Sequence, residues 1–316
     1  MKESVRAFLH QIIDYAGLFP PAKLPLEDAL STYWHEKKTS PHRWMLGRFV
    51  FPAARLPELL TVEWSRQGTP LLCLTALGQQ GSDASDFLPK LHSDLDAILE
   101  SRICWESSAL IDMLEVALPN NATIEQLEDR LQLAAAQLHQ SNLRGFLEVP
   151  RTTSWHINVA QIVQVLRDLG KEPLGLKLRC GGVTAEAFPS DEQVAFFISR
   201  CRDARIPWKA TAGLHHPRRH WDAALNLWHH GFLNVFGAGI LAWTHSLTEA
   251  DLAAILADRD GQHFCVTEDT FAWKQWSCTT AQIADARQQF ATSFGSCSFE
   301  EPCLDLHAMH WLDASA

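Results

Sequence analysis

The chain has 316 residues, 47% of them hydrophobic, and a formal net charge of -10. With a pI near 5.8 and no run of Lys or Arg, it repels polyanions as a whole, which argues against nucleic-acid binding. No stretch approaches the roughly 18 apolar residues that span a bilayer. The start MKESVRAFLHQIIDYAGLF lacks a signal-peptide pattern, and the eight cysteines, none in a CxxC pair, read as reduced thiols of a cytoplasmic protein.

In chain order, residues 3–12 are expected to form a helix over the bottom of a barrel. Short apolar runs then recur at Asp14–Pro20, Leu46–Ala53, Pro70–Leu77, Leu110–Leu118, Gly145–Pro150, Leu174–Cys180, Ile206–Ala212 and Phe232–Gly237. Each is mostly apolar and often closed by Gly or Pro, as strands buried on both faces are. Amphipathic stretches separate them. Thr123–Gln140 carries Ile124, Leu127, Leu131 and Leu138 on one stripe and opens with the capping-box pattern Thr-Ile-Glu-Gln. Ser190–Ala204 opens in the same way with Ser-Asp-Glu-Gln. Eight such strand–helix units predict an α/β fold closed into a single (β/α)8 barrel over residues 1–263. A doubly wound open sheet is the runner-up, but there is no GxGxxG or P-loop. Residues 264–316 are expected to pack on the barrel as an extension rather than an independent domain, with a helix at Thr280–Phe290 and an irregular polar tail from Ser293 to Leu306.

Barrel enzymes bind substrate at the C-terminal ends of their strands, so charged residues late in apolar strands are the informative ones. They are Arg48, Glu115, Glu148, Lys177, Arg179, Lys209, Thr211 and Asn234; Asp14 opens the first strand and sits early for the mouth. Lys177 and Arg179 share a face, as do Lys209 and Thr211. With Leu176, Leu178, Trp208 and Ala210 facing the helices, the cations point into the barrel beside Glu148. Two lysines on neighbouring strands lower each other's affinity for protons, which suits Schiff-base formation. The competing reading pairs them with Glu148 and Glu115, as a fixed interior or a seat for a substrate anion.

Lys209-Ala-Thr-Ala-Gly-Leu-His-His-Pro217 is the most distinctive line. His215 or His216 is a candidate general acid/base. A divalent metal is the weaker alternative, for want of an HxH or HExxH companion, and no cofactor is expected. His220, His229 and His230 are assigned to the helix that follows. Gly181–Gly182 and Gly237–Gly239 are candidate phosphate cradles, although turn chemistry explains them as well. In the tail, Ser296, Cys297 or Glu300 would reach the site only if that segment folds back as a lid.

The segments Lys177-Leu-Arg-Cys-Gly-Gly182 and Lys209-Ala-Thr-Ala-Gly213 resemble class I aldolases of the deoxyribose-phosphate aldolase type, which place lysines near the ends of strands six and seven. More broadly, KATAGLHHP, HGFLNVF, FGSCSFEEP, IDYAGLFPP and WMLGRFVFPA resemble an uncharacterised family of bacterial barrel proteins along nearly the whole chain. That resemblance implies the fold and the place of the site, and no reaction. Three functions follow as expectations. The first is a lyase or aldolase on a small anionic carbonyl compound, with Lys177 or Lys209 as nucleophile, Glu148 or His215 moving protons and Arg179 holding the anion. The second is an isomerase or hydrolase, cofactor-free or metal-dependent, that uses His215 with Glu148. The third is a non-catalytic ligand- or partner-binding barrel. Homo-oligomerisation is left open.

Overall fold

A computed structural model describes residues 1–59, 71–105, 108–170 and 173–312. Eight parallel strands close into a barrel: β1 (Ile13–Tyr15), β2 (Leu46–Pro52), β3 (Leu72–Leu77), β4 (Ala109–Ala117), β5 (Arg144–Glu148), β6 (Leu174–Arg179), β7 (Trp208–Thr211) and β8 (Ala291–Ser296). Pro70, part of the third predicted run, lies outside the described residues. The helices are α1 (Glu3–Leu9), α2 (Leu26–Thr39), α3 (Leu56–Leu59), α4 (Ala84–Trp105), α5 (Ile124–Gln140), α6 (Trp155–Leu169) and α7 (Asp191–Asp203), followed by α8 (Phe232–Thr244), α9 (Glu249–Ala257), α10 (Thr280–Gln289) and α11 (Glu300–Ala308). Both capping boxes form, Thr123 with Gln126 and Ser190 with Gln193. They satisfy the orphan N–H groups that would otherwise fray the first turns of α5 and α7.

The strand faces divide as the pattern predicts. Leu176, Leu178, Trp208 and Ala210 are buried against the helices, and Trp208 packs on Phe197, Phe236 and Phe290. No helix among the described residues is long and apolar enough to cross a membrane.

The eighth strand is not where the apolar pattern puts it. Phe232–Gly237 is the first half of α8, whose apolar sequence continues as far as Trp243. This helix is buried nearly all round, because α7, α9 and α10 pack on it along with the three-stranded sheet of Phe264–Val266, Thr270–Trp273 and Trp276–Thr279. A helix enclosed in this way has no polar face to reveal its period. The strand that closes the barrel is Ala291–Ser296. It pairs with β1 (Ile13↔Phe294, Tyr15↔Ser296) and with β7 (Ala210↔Phe294, Thr211↔Gly295). The boundary at residue 263 is therefore wrong, since the barrel runs through to residue 296. The tail is not irregular either: after β8 it turns once and enters α11. His220 and His229 belong to a two-stranded hairpin, His220–Asp222 with Leu227–His229, and not to a helix.

The register slips at three of the strand pairings. One residue is gained on β2 opposite β1 (Ile13↔Leu46, then Tyr15↔Phe49). Another is gained on β4 opposite β3 (Leu74↔Ile111, then Thr75↔Met113). The third is gained on β8 opposite β7 (Ala291↔Trp208, then Phe294↔Ala210). Such bulges re-aim the side chains beside them.

Candidate active site

The interior-facing charges form one alternating chain. Asp14 on β1 accepts from Lys209 Nζ on β7 at 2.7 Å, and the same ammonium contacts Glu115 on β4. The other Glu115 oxygen takes Lys177 Nζ at 3.0 Å, and Lys177 reaches Glu148 on β5 at 2.9 Å. Glu148 then accepts from Arg179 Nε at 2.7 Å. Three carboxylates and three cations alternate from the barrel interior to its C-terminal mouth. Lys209 is 1% exposed and Arg179 41%. Strand geometry explains the chain: Lys177 and Lys209 are direct register partners, as are Glu148 and Lys177, and Arg179 and Thr211.

Burial alone would drive the three carboxylates and the two lysines towards neutrality, but the neighbouring charges outweigh it. Glu148 is held down to about 2, with Lys177 and Arg179 overcoming its desolvation. Asp14 and Glu115 are held below the usual carboxylate range by the lysines. Lys177 is pushed up by Glu148 and Glu115, and Lys209 by Asp14 and Glu115. The pairing of the two lysines with Glu115 and Glu148 thus holds, and neither amine is depressed. This contradicts the expectation that two adjacent lysines would discharge each other. A carboxylate stands between them, and opposite charge at contact outweighs like charge one strand away.

Several other predicted residues fall elsewhere. Arg48 is the third residue of β2, away from the mouth, and forms a bidentate pair with Asp112 at 2.7 and 2.6 Å. Asn234 is buried on α8, where it accepts from Arg219 N and donates to the carbonyls of Ile255 and Asp258. Gly237 and Gly239 are inside α8, and a Cβ at Gly239 would stand 2.7 Å from Trp208. They are packing glycines, not a phosphate cradle. Gly181 and Gly182 do follow β6 at the mouth, with Gly181 pressed against Gly213. Gly213 (φ +74°) and Ala212 (φ +58°) turn the chain sharply out of β7.

That turn delivers the two histidines to α11. His215 Nδ1 lies 3.2 Å from Glu301, and His216 Nδ1 lies 2.6 Å from Asp305. His216 lines a cleft of about 350 Å3 with His220, Arg218, Arg219, Arg259 and Asp305. Its walls are the loop leaving β7 and the helix that follows β8. Arg219 is committed to Asp191, whereas neither Arg218 nor Arg259 has a carboxylate partner among the described residues. Burial and then His216 lower the pKa of His220. Cys297 is buried and desolvation pushes its thiol up, which disfavours the thiolate. Ser296 Oγ donates to Ser298 O.

No protein-family model matches this chain, and no curated protein matches it. Among the described residues no group of three or more His, Cys, Asp or Glu side chains is placed to hold a metal ion. Sequence reasoning passed over Asp112, Asp305, Arg218 and Arg259. The first is turned inward by the bulge on β4. The others lie on loops and a helix whose approach to the mouth depends on where β8 sits.

Proposed function

We propose that this protein is an enzyme that moves a proton on a small anionic carbonyl compound in the cleft beside the barrel mouth, with no covalent attachment to lysine. The observation that carries this reading is the 2.6 Å contact of His216 Nδ1 with Asp305 inside a cleft of arginines. A carboxylate on Nδ1 takes that N–H and leaves Nε2 with its lone pair, the form of imidazole that accepts a proton. Arg218 and Arg259 would hold the substrate's anionic group and stabilise the enolate formed when His216 removes a proton beside the carbonyl. For an α-hydroxy carbonyl compound His216 then returns the proton to the former carbonyl carbon, while the hydroxyl proton on the carbon that was deprotonated passes to the former carbonyl oxygen, so that the carbonyl has moved by one carbon. This is isomerase chemistry, and the ion chain serves as a rigid frame for β6 and β7.

The test is substrate-agnostic. The protein is incubated in D2O with a panel of phosphorylated and carboxylated aldehydes, ketones and keto acids, and solvent exchange at carbon is followed by proton NMR. Exchange that His216→Asn slows by about 10²-fold or more supports the reading. Exchange unchanged in His216→Asn removes it.

A second reading is a Schiff-base lyase, favoured by the direct register of Lys177 and Lys209 and by the aldolase resemblance of their segments. Lys177 would first give its proton to Glu148. Its amine would then add to the carbonyl carbon, and the carbinolamine would lose water to give the imine. Borohydride trapping of the same panel, with Lys177→Met and Lys209→Met alongside, separates the two. A reduced adduct absent from only one variant establishes the lyase, and its absence throughout leaves the lysines as structural cations.

A further inference from the structure

At the end of the barrel opposite the mouth lies an open pocket of about 620 Å3, lined by α1, α10 and the strand beginnings. The three register slips converge on it. Arg48 belongs to the slip on β2, Asp112 to that on β4 and Ser293 to that on β8, and all three line the cavity. One slip is an ordinary irregularity of a barrel; three aimed at one space bring side chains to it that strict alternation would turn away.

The lining is strongly cationic in a chain of net charge -10. Arg6, Arg48, Arg144 and Arg287 stand against two carboxylates, Glu3 and Asp112. Asp112 neutralises Arg48. Arg287 spends its donors on the backbone carbonyls of Phe8, His10, Ala291 and Thr292, which satisfies its hydrogen bonds without cancelling its charge. Arg144 rests on the Phe146 ring at 5.2 Å and Arg6 on the Trp44 ring at 5.6 Å. Neither has a carboxylate partner among the described residues. Arg144 is partly buried, and a guanidinium held there without a counter-charge is costly, a cost that a bound anion meets; the exposed Arg6 stands at the rim to receive the same anion. The positive field reaches His10, whose pKa is lowered by burial and then by Arg287, Arg6 and Lys37.

We infer that this cavity is a binding site for a compact dianion, a phosphorylated or dicarboxylate metabolite, separate from the cleft at the mouth. The volume suits a small metabolite. Guanidinium forks match phosphate and carboxylate oxygens alike. Ser293 lies in the cavity wall and donates to Asp14 at 2.7 Å, so the site abuts the inner end of the ion chain.

Isothermal titration of the full-length protein with pyrophosphate and, separately, with succinate at constant ionic strength tests this. The expected result is a saturable site that persists in Arg218→Gln, which silences the mouth cleft, and that is weakened about tenfold or more in that background by Arg144→Gln and by Arg6→Gln. Tighter binding of pyrophosphate assigns a phosphorylated ligand; tighter binding of succinate assigns a dicarboxylate. The Arg144 side chain makes no hydrogen bond among the described residues and Arg6 is exposed, so neither variant withdraws support from the fold. The absence of saturable heat with both anions overturns the inference. So does binding that survives both variants, or binding that is lost in Arg218→Gln.

Discussion

Replacing Lys209 by methionine keeps the reach of the side chain but removes the cation that Asp14 and Glu115 share. Asp14 is 0% exposed and Glu115 4%, so neither carboxylate can recover the loss from water. Removing one partner of a buried pair costs about 3–5 kcal/mol. Unfolding entropy near 60 °C is about 2.1 cal/mol/K per residue, or about 0.66 kcal/mol/K for a chain of this length, so the melting temperature should fall by about 5–8 °C. The sign of the pH dependence follows from the carboxylates. In the wild type their pKa values are depressed, so their contribution is present above about pH 4 and lost as pH falls through the folded values. Without Lys209, burial raises Asp14 instead, while Lys177 still holds Glu115 down. The folded variant then binds more protons than the unfolded chain, and its deficit is largest near neutrality and shrinks towards about pH 5. Adding Asp14→Asn leaves Glu115 paired with Lys177 and should restore about half of the loss. Scanning calorimetry at about pH 5 and about pH 7.5 reads all of this. A drop below about 2 °C, or one of equal size at both pH values, would refute the electrostatic account of the barrel interior.

Asp305→Asn should slow the carbon-exchange reaction by about 10²-fold through the wrong imidazole tautomer. It should barely alter the melting temperature, because the pair is part-exposed; a large loss of stability with unchanged exchange would assign Asp305 to the fold. Gly213→Ala meets both the positive φ and the Cys180 carbonyl 3.0 Å away. It should cost about 1–3 kcal/mol in urea unfolding, and an unchanged midpoint would show that the turn out of β7 is not strained. Asn234→Ala removes the three hydrogen bonds of a buried side chain and should cost about 2–4 kcal/mol. The thermal shift is to be compared with binding of substrate-like anions: lost binding at full stability would return Asn234 to the site.

Seven of the eight strands are legible because their apolar runs are short, bounded and separated by amphipathic helices. The eighth is not. Ala291-Thr-Ser-Phe-Gly-Ser296 presents small and hydroxyl residues to the barrel, where Ser293 meets Asp14, so it carries no apolar signature. Meanwhile α8 is apolar enough to pass for a strand. That single exchange explains the misplaced Asn234, Gly237 and Gly239. Alternation turns Lys177, Lys209, Arg179 and Glu148 inward as the structure does, since β5, β6 and β7 pair with one another without a slip. Alternation fails where the slips occur. Gly47 lies against Asp14, with no room for a Cβ 2.5 Å from its carboxylate oxygen. Arg48 donates its backbone N–H to the same carboxylate while its side chain turns to Asp112. No period-two reading brings both Asp112 and Glu115 inside.

The alternating ion chain also bears on which barrel the sequence can form. Uniformly apolar parallel strands tolerate being shifted past one another, because most side chains are interchangeable in shape and chemistry. A β7 displaced by one residue would instead turn Lys209 out among Phe197, Phe236 and Phe290 and bring Trp208 inside against the carboxylates. A displacement by two would set Thr211 between Asp14 and Glu115 and leave two negative charges facing each other. Each misaligned sheet would strand ionised groups in a medium that cannot solvate them. The six charges thus act as a key cut for one alignment, and they single out one closed barrel among many sheets of similar hydrophobic content.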